Sequence, residues 1–218
     1  MSKTVVAVYT GQGLAEIVRK IFAEVLPGHR LVNIIDDSLI AEVVANGGVT
    51  PGVKKRLEQY FRHAVEIGAD VVLNTCSSVG EVVDEVKSRF EVPIVKIDEA
   101  MATDAVTHYG RIGVIATLPT TLGPTKRLLQ RQAETLGKQP VIVDGLAEGA
   151  YQALVQGQPE KHDDLIRQTA AGLSGQVDAF VLAQGSMARM QKQLEEETGK
   201  PVLSSPILAL KKIADMLQ

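Results

Sequence analysis

The chain repeats itself, and no other feature restricts its fold so strongly. Asp70-Val-Val-Leu-Asn-Thr-Cys76-Ser-Ser returns as Asp178-Ala-Phe-Val-Leu-Ala-Gln184-Gly-Ser, a displacement of 108 residues (178 − 70). Pro93-Ile-Val and Pro201-Val-Leu share that displacement (201 − 93). Upstream, Val6-Ala-Val-Tyr-Thr10 matches Gly113-Val-Ile-Ala-Thr117 at 107 (117 − 10), and Leu31-Val-Asn-Ile-Ile35 matches Pro140-Val-Ile-Val-Asp144 at 109 (140 − 31). Four matches in one order mark two related halves. They set a first half at 1–98, joined by the terminal segment 205–218, and a second half at 99–204.

Each repeated segment is a short apolar run. Such runs fall near 4–10, 31–35, 70–75, 93–97, 111–117, 140–144, 178–183 and 201–204, with amphipathic stretches between nearly all of them. Runs without alternation suit strands buried on both faces, and the intervening segments suit the crossover helices of a parallel sheet. The fold class is therefore α/β, with a parallel sheet in each half. Helix punctuation agrees: Thr50-Pro51 opens a helix that Gly68 closes, and Pro27-Gly28 and Gly137 end the helices before them. A hydrophobic content of 45% over 218 residues is enough to bury a substantial core.

Polar residues collect where strands end. In open parallel sheets, ligands bind beyond the carboxyl ends of the strands, where helix N-termini converge. Thr10-Gly11-Gln12-Gly13 follows the first run, Thr75-Cys76-Ser77-Ser78 the third, Thr117-Leu-Pro-Thr120-Thr121 the fifth and Gln184-Gly185-Ser186 the seventh. These hydroxyl and amide groups suit carboxylate or carbonyl oxygens, and no Lys or Arg stands among them, so the expected ligand is a small acid held by neutral donors. Cys76, the only cysteine, lies just before a predicted helix, where unpaired N–H groups stabilise a thiolate.

Other chemistries lack support. A net charge of −3 with 4% aromatic residues gives no electrostatic footprint or stacking platform for nucleic acid. No basic leader precedes an apolar stretch, and no segment approaches the roughly 18 apolar residues of a membrane span, so a cytoplasmic protein is expected. One cysteine rules out an intrachain disulfide and a multi-thiolate metal site, and four scattered histidines give no ligand spacing, so no metal is expected. Thr10-Gly11-Gln12-Gly13 fails as a dinucleotide loop because Glu16 occupies the third glycine position. No phosphate-binding G-x-x-x-x-G-K-[ST] occurs. A Cys–His hydrolase would need His29, His63, His108 or His162 brought to Cys76, and these lie mostly within or beside predicted helices.

Three stretches resemble the aspartate/glutamate racemase superfamily, which includes hydantoin racemases, maleate isomerases and arylmalonate decarboxylases. They are Asp70-Val-Val-Leu-Asn-Thr-Cys76-Ser, Arg111-Ile-Gly-Val-Ile-Ala-Thr117-Leu-Pro-Thr-Thr121-Leu-Gly-Pro-Thr125, and Asp178-Ala-Phe-Val-Leu-Ala-Gln184-Gly-Ser-Met-Ala-Arg189. The resemblance covers nearly the whole chain. It implies two pseudo-symmetric α/β halves with a cofactor-free active site in the cleft between them, and a homo-oligomer. In the family's racemases one cysteine from each half faces the substrate's α-carbon, one removing the proton and the other returning it.

Cys76 matches the first cysteine, while Gln184 stands where the second would be. Glutamine is neither acid nor base near neutral pH, and its expected role is binding. The expected activity is that of a racemase or isomerase in which Cys76 moves a proton at the carbon next to a carboxylate or carbonyl. A one-thiol decarboxylase or cis–trans isomerase of the same superfamily is the alternative. A non-catalytic small-acid binding protein that kept the cleft is a third. The assigned roles are Cys76 as acid/base or nucleophile; Ser77, Ser78, Thr120 and Thr121 as donors to carboxylate or enolate; Thr10, Gln12, Thr117 and Gln184 as the opposite wall. Thr75, Gly185 and Ser186 complete the binding set.

Overall fold

Eight apolar runs become eight strands at the predicted places. The computed structural model describes residues 2–218. Its strands are β1 (Thr4–Tyr9), β2 (Arg30–Ile35), β3 (Val71–Asn74), β4 (Ile94–Lys96), β5 (Arg111–Ala116), β6 (Val141–Leu146), β7 (Ala179–Leu182) and β8 (Val202–Ser204). They form two parallel four-stranded sheets, ordered β2-β1-β3-β4 and β6-β5-β7-β8. Among the described residues ten α-helices accompany them: α1 (Ala15–Val25), α2 (Ser38–Ala45), α3 (Pro51–Glu66), α4 (Gly80–Val86), α5 (Glu99–His108), α6 (Pro119–Leu136), α7 (Ala150–Val155), α8 (Pro159–Leu173), α9 (Gln191–Thr198) and α10 (Ser205–Met216).

The chain divides into two units. The first runs to Glu99 and is completed by Pro206–Gln218; the second is Ala100–Ser205. In the first, Val5, Ala7, Tyr9, Val71 and Leu73 turn one face of the sheet toward Val18 and Phe22 of α1 and Ala209, Leu210 and Ile213 of α10. Val6, Val8 and Val72 turn the other face toward Leu39 and Val43 of α2, Val53, Leu57 and Phe61 of α3, and Val82, Val83 and Val86 of α4. Strands apolar on both sides are what this double cover requires. In the second unit, Ile115, Phe180, Leu182 and Val202 meet Ala150 of α7, Ile166 and Ala170 of α8 and Leu194 of α9. Gly113 has no alternative there, because a Cβ would stand 2.7 Å from the Phe180 ring.

The repeat holds at the level of register. Asp70 accepts from the N–H of Thr4 at 2.7 Å and from Lys3 Nζ at 2.9 Å, tying the start of β3 to that of β1. Asp178 does the same for β7 and β5, accepting from the N–H of Arg111 at 2.9 Å and from its guanidinium at 2.8 and 3.1 Å. One displacement differs from the sequence match. Leu31 pairs with Val5 and Ile142 with Ile112, so β2 and β6 correspond at 111 (142 − 31) rather than 109. The shift of two residues keeps every side chain on its own face, which is why the sequence match is insensitive to it. The connection through α6 is four residues longer than that through α1 (111 − 107).

The predicted punctuation is present. Thr50 caps α3, its hydroxyl accepting from the N–H of Val53 at 3.1 Å with Pro51 as the first helical residue. Gly68 and Gly137 take the left-handed conformation that ends their helices. No helix among the described residues is long and apolar enough to cross a membrane.

Candidate active site

Cys76 stands one residue beyond Thr75 at the carboxyl end of β3 and is the N-cap of the 3₁₀ turn Ser77–Val79, which leads into α4. The N–H groups of Ser78 and Val79 and the hydroxyls of Thr10 and Ser78 lie around the sulfur, although the Cys76 side chain makes no capping hydrogen bond to the turn. Thr10 is adjacent because β1 pairs with β3, Val8 lying beside Asn74. All four donors favour the thiolate. Burial acts the other way and prevails, so Cys76 is pushed above the ordinary thiol range while its side chain stays half-buried. Burial thus favours the neutral thiol, and the four donors favour the thiolate.

The neighbouring strand adds residues that the sequence reading missed. Beyond β4, Asp98 is 3% exposed and hydrogen-bonded to the Ser77 side chain. Burial pushes its carboxyl up, against the opposing pull of the Ser77 hydrogen bond and of Lys96. Lys96, 4% exposed, spends its direct contact on Asp84 at 2.7 Å. An acidic residue directly after the apolar run Pro93-Ile-Val-Lys-Ile97 was the available signal, since it stands at the same strand end as the hydroxyl clusters.

The corresponding place in the second unit is built alike. Gln184 follows β7 and is the N-cap of the 3₁₀ turn Gly185–Met190. Its Oε1 accepts from the N–H of Thr117 at 3.1 Å and its Nε2 donates to the Thr117 hydroxyl at 2.6 Å. Thr117 ends β5 as Thr10 ends β1. Thr120 and Thr121 occupy the first turn of α6 behind Pro119. The Thr120 hydroxyl is buried without a partner among the described residues.

The remaining predicted residues fall in different settings. Thr75 is buried and its hydroxyl donates to the Val8 carbonyl at 3.0 Å, stapling β3 to β1. Gln12 is exposed, its carboxamide donating to Asp37 at 2.8 Å. Ser77 and Ser78 are both buried, one beside Asp98 and the other beside Cys76. Gly185 and Ser186 are half-buried in the turn after Gln184. Of the histidines, His162 is buried against Asp163, which Arg189 holds at 2.6 Å, and His63 and His108 are exposed on α3 and α5. No group of acidic, His and Cys side chains suited to a metal ion occurs among the described residues.

A family model described as Asp/Glu/Hydantoin racemase matches residues 6–213. Among solved structures, the chain is similar to a glutamate racemase of Bacillus anthracis (TM-score 0.76, 14% identity, 99% of this chain and 82% of that one). It is also similar to an aspartate racemase of Picrophilus torridus (TM-score 0.75, 14% identity, 98% and 95%). A third is an allantoin racemase of Klebsiella pneumoniae (TM-score 0.67, 19% identity, 99% and 87%). At these identities the likeness is one of fold. None of the curated proteins matches the chain in sequence.

Proposed function

The chain belongs to the Asp/Glu/hydantoin racemase family, and from that premise we propose that it is a cofactor-independent racemase or isomerase in which Cys76 moves a proton at the carbon next to a carboxylate of a small amino acid or related acid. The observation that carries this reading is the donor set around the sulfur: Thr10, Ser78 and the N–H groups of Ser78 and Val79. Cys76 first gives its thiol proton to solvent; the thiolate then removes the α-proton and becomes the neutral thiol that burial favours. The electron pair moves onto the carboxylate as an enolate, which Ser77 stabilises by donating to oxygen, a contribution of about 3 kcal/mol for a well-placed donor. The thiol then returns a proton. Thr120, whose hydroxyl is buried with no partner among the described residues, is the residue of the second unit to test by substitution beside Ser77.

Gln184 has no proton to exchange near neutral pH, and both ends of its carboxamide are committed to Thr117. Proton transfer therefore runs through one thiol, so exchange with solvent outpaces inversion. The reading extends to a cytoplasmic homo-oligomer, which sedimentation of the purified protein checks.

Proton NMR in D2O tests the proposal, with glutamate, aspartate, allantoin, α-hydroxy acids and unsaturated dicarboxylic acids as substrates. Loss of the α-proton signal or conversion with the native protein, absent with Cys76→Ala, is the expected result. Exchange that persists in Cys76→Ala would remove Cys76 from the reaction.

A further inference from the structure

The two units carry the same turn after β3 and β7, and the turns close differently. Cys76 and Gln184 are corresponding residues (184 − 76 = 108), each the N-cap of a 3₁₀ turn and each in extended backbone conformation. In the second unit the N–H of Met187 donates to the Gln184 carbonyl at 3.0 Å. In the first, the equivalent N–H, that of Val79 (187 − 79 = 108), reaches the Cys76 carbonyl only at 3.4 Å and lies beside the sulfur as well.

One residue accounts for the difference. Asn74, the last residue of β3, donates its side-chain Nδ2 to the Cys76 carbonyl at 3.0 Å. At the corresponding end of β7 stands Leu182 (182 − 74 = 108), an apolar core residue with no donor. Asn74 is 1% exposed, and its Oδ1 is buried without a partner among the described residues. A carbonyl only accepts, so Nδ2 must face Cys76 and Oδ1 must face away. Lys96, the neighbour of Asn74 in register on β4, is held by Asp84 at 2.7 Å. An unpaired buried acceptor destabilises a fold, and Leu182 fills the same strand end without one. Packing therefore does not call for an asparagine here; the Cys76 carbonyl does.

We propose that Asn74 is a positioning residue: by donating to the Cys76 carbonyl it keeps the Val79 N–H from closing on that carbonyl and leaves it to the sulfur. The inference rests on the reading of Cys76 as the reacting group.

Alkylation by iodoacetamide tests it, since the thiolate is the form that reacts. The four donors around the sulfur are uncharged, so a displaced profile reports their hydrogen bonds. Asn74→Leu gives the first unit the arrangement of the second. The alkylation rate against pH should shift to higher pH, and the neutral-pH rate should fall by about tenfold, the contribution of one hydrogen bond to a charged group. The urea midpoint should stay the same or rise, because the unpaired Oδ1 is gone. Asn74→Ala should show the same loss of reactivity with a lower midpoint, because it leaves a cavity. Reactivity then falls in both variants while stability falls in only one, which a purely structural asparagine does not produce. Profiles of both variants coincident with the native one would overturn the assignment, as would a rate that falls in Asn74→Ala alone. Failure of the Cys76 reading appears separately, as proton exchange that survives Cys76→Ala.

Discussion

Gln184 holds Thr117 through both ends of its carboxamide, accepting from the N–H at 3.1 Å and donating to the hydroxyl at 2.6 Å. In the first unit Thr10 donates its hydroxyl to Cys76. The same threonine, at the end of the same strand of each sheet, grips a thiol in one unit and an amide in the other. The repeat has kept the contact and changed the chemistry.

Gln184→Leu leaves the buried N–H and hydroxyl of Thr117 without this partner, which costs about 1–3 kcal/mol. Gln184→Glu accepts from both groups and should stay within about 1 kcal/mol of the native protein. Urea unfolding of the two variants checks the order.

Thr10→Val removes one donor that favours the Cys76 thiolate. The thiol should move further above its ordinary range. The alkylation rate against pH then shifts to higher pH, and the iodoacetamide rate at neutral pH falls by about tenfold. A curve coincident with that of the native protein would mean that the hydroxyl does not act on the sulfur.

Asp70 is held below the ordinary carboxylate range by the N–H of Thr4 and by Lys3. A carboxyl lowered on folding stabilises the protein above its unfolded-state value, and the contribution is lost as pH falls through the folded-state value. Asp70→Asn should therefore lower stability near neutral pH by roughly 1 kcal/mol and flatten its decline below about pH 4. Thermal unfolding from pH 7 to pH 2 measures both.

Ile213 of α10 is fully buried among strands β1 and β3 and helix α1, although it lies beyond the second unit in sequence. Ile213→Ala should cost about 2–5 kcal/mol. Hydrogen exchange should place the loss in the first unit. An effect confined to the second unit would contradict the assignment of α10.

Strands were legible because parallel strands covered on both faces are written as unbroken Val, Ile and Leu runs, as in Asp70-Val-Val-Leu and Arg111-Ile-Gly-Val-Ile. The gathering of Cys76, Thr10 and Ser78 at one strand end was legible because hydroxyls cluster there. Their division of labour was not. Thr75 differs from Thr10 only in which way its hydroxyl points, and that follows from pairing with Val8. Asp98 escaped notice because a single acid after a strand reads as an ordinary loop residue; only tertiary packing buries it against Ser77. The register of β6 was misread by two residues because strand periodicity repeats at two.

The most direct test follows one enantiomer of a substrate identified by the NMR panel, incubated in D2O and analysed by chiral chromatography with mass detection. One-thiol chemistry predicts that deuterium enters the recovered starting enantiomer at least about tenfold faster than the opposite enantiomer appears, and that both processes vanish in Cys76→Ala. Deuterium found only in the inverted product, with the starting enantiomer unlabelled, would show a second proton-transfer group opposite Cys76 and contradict the account.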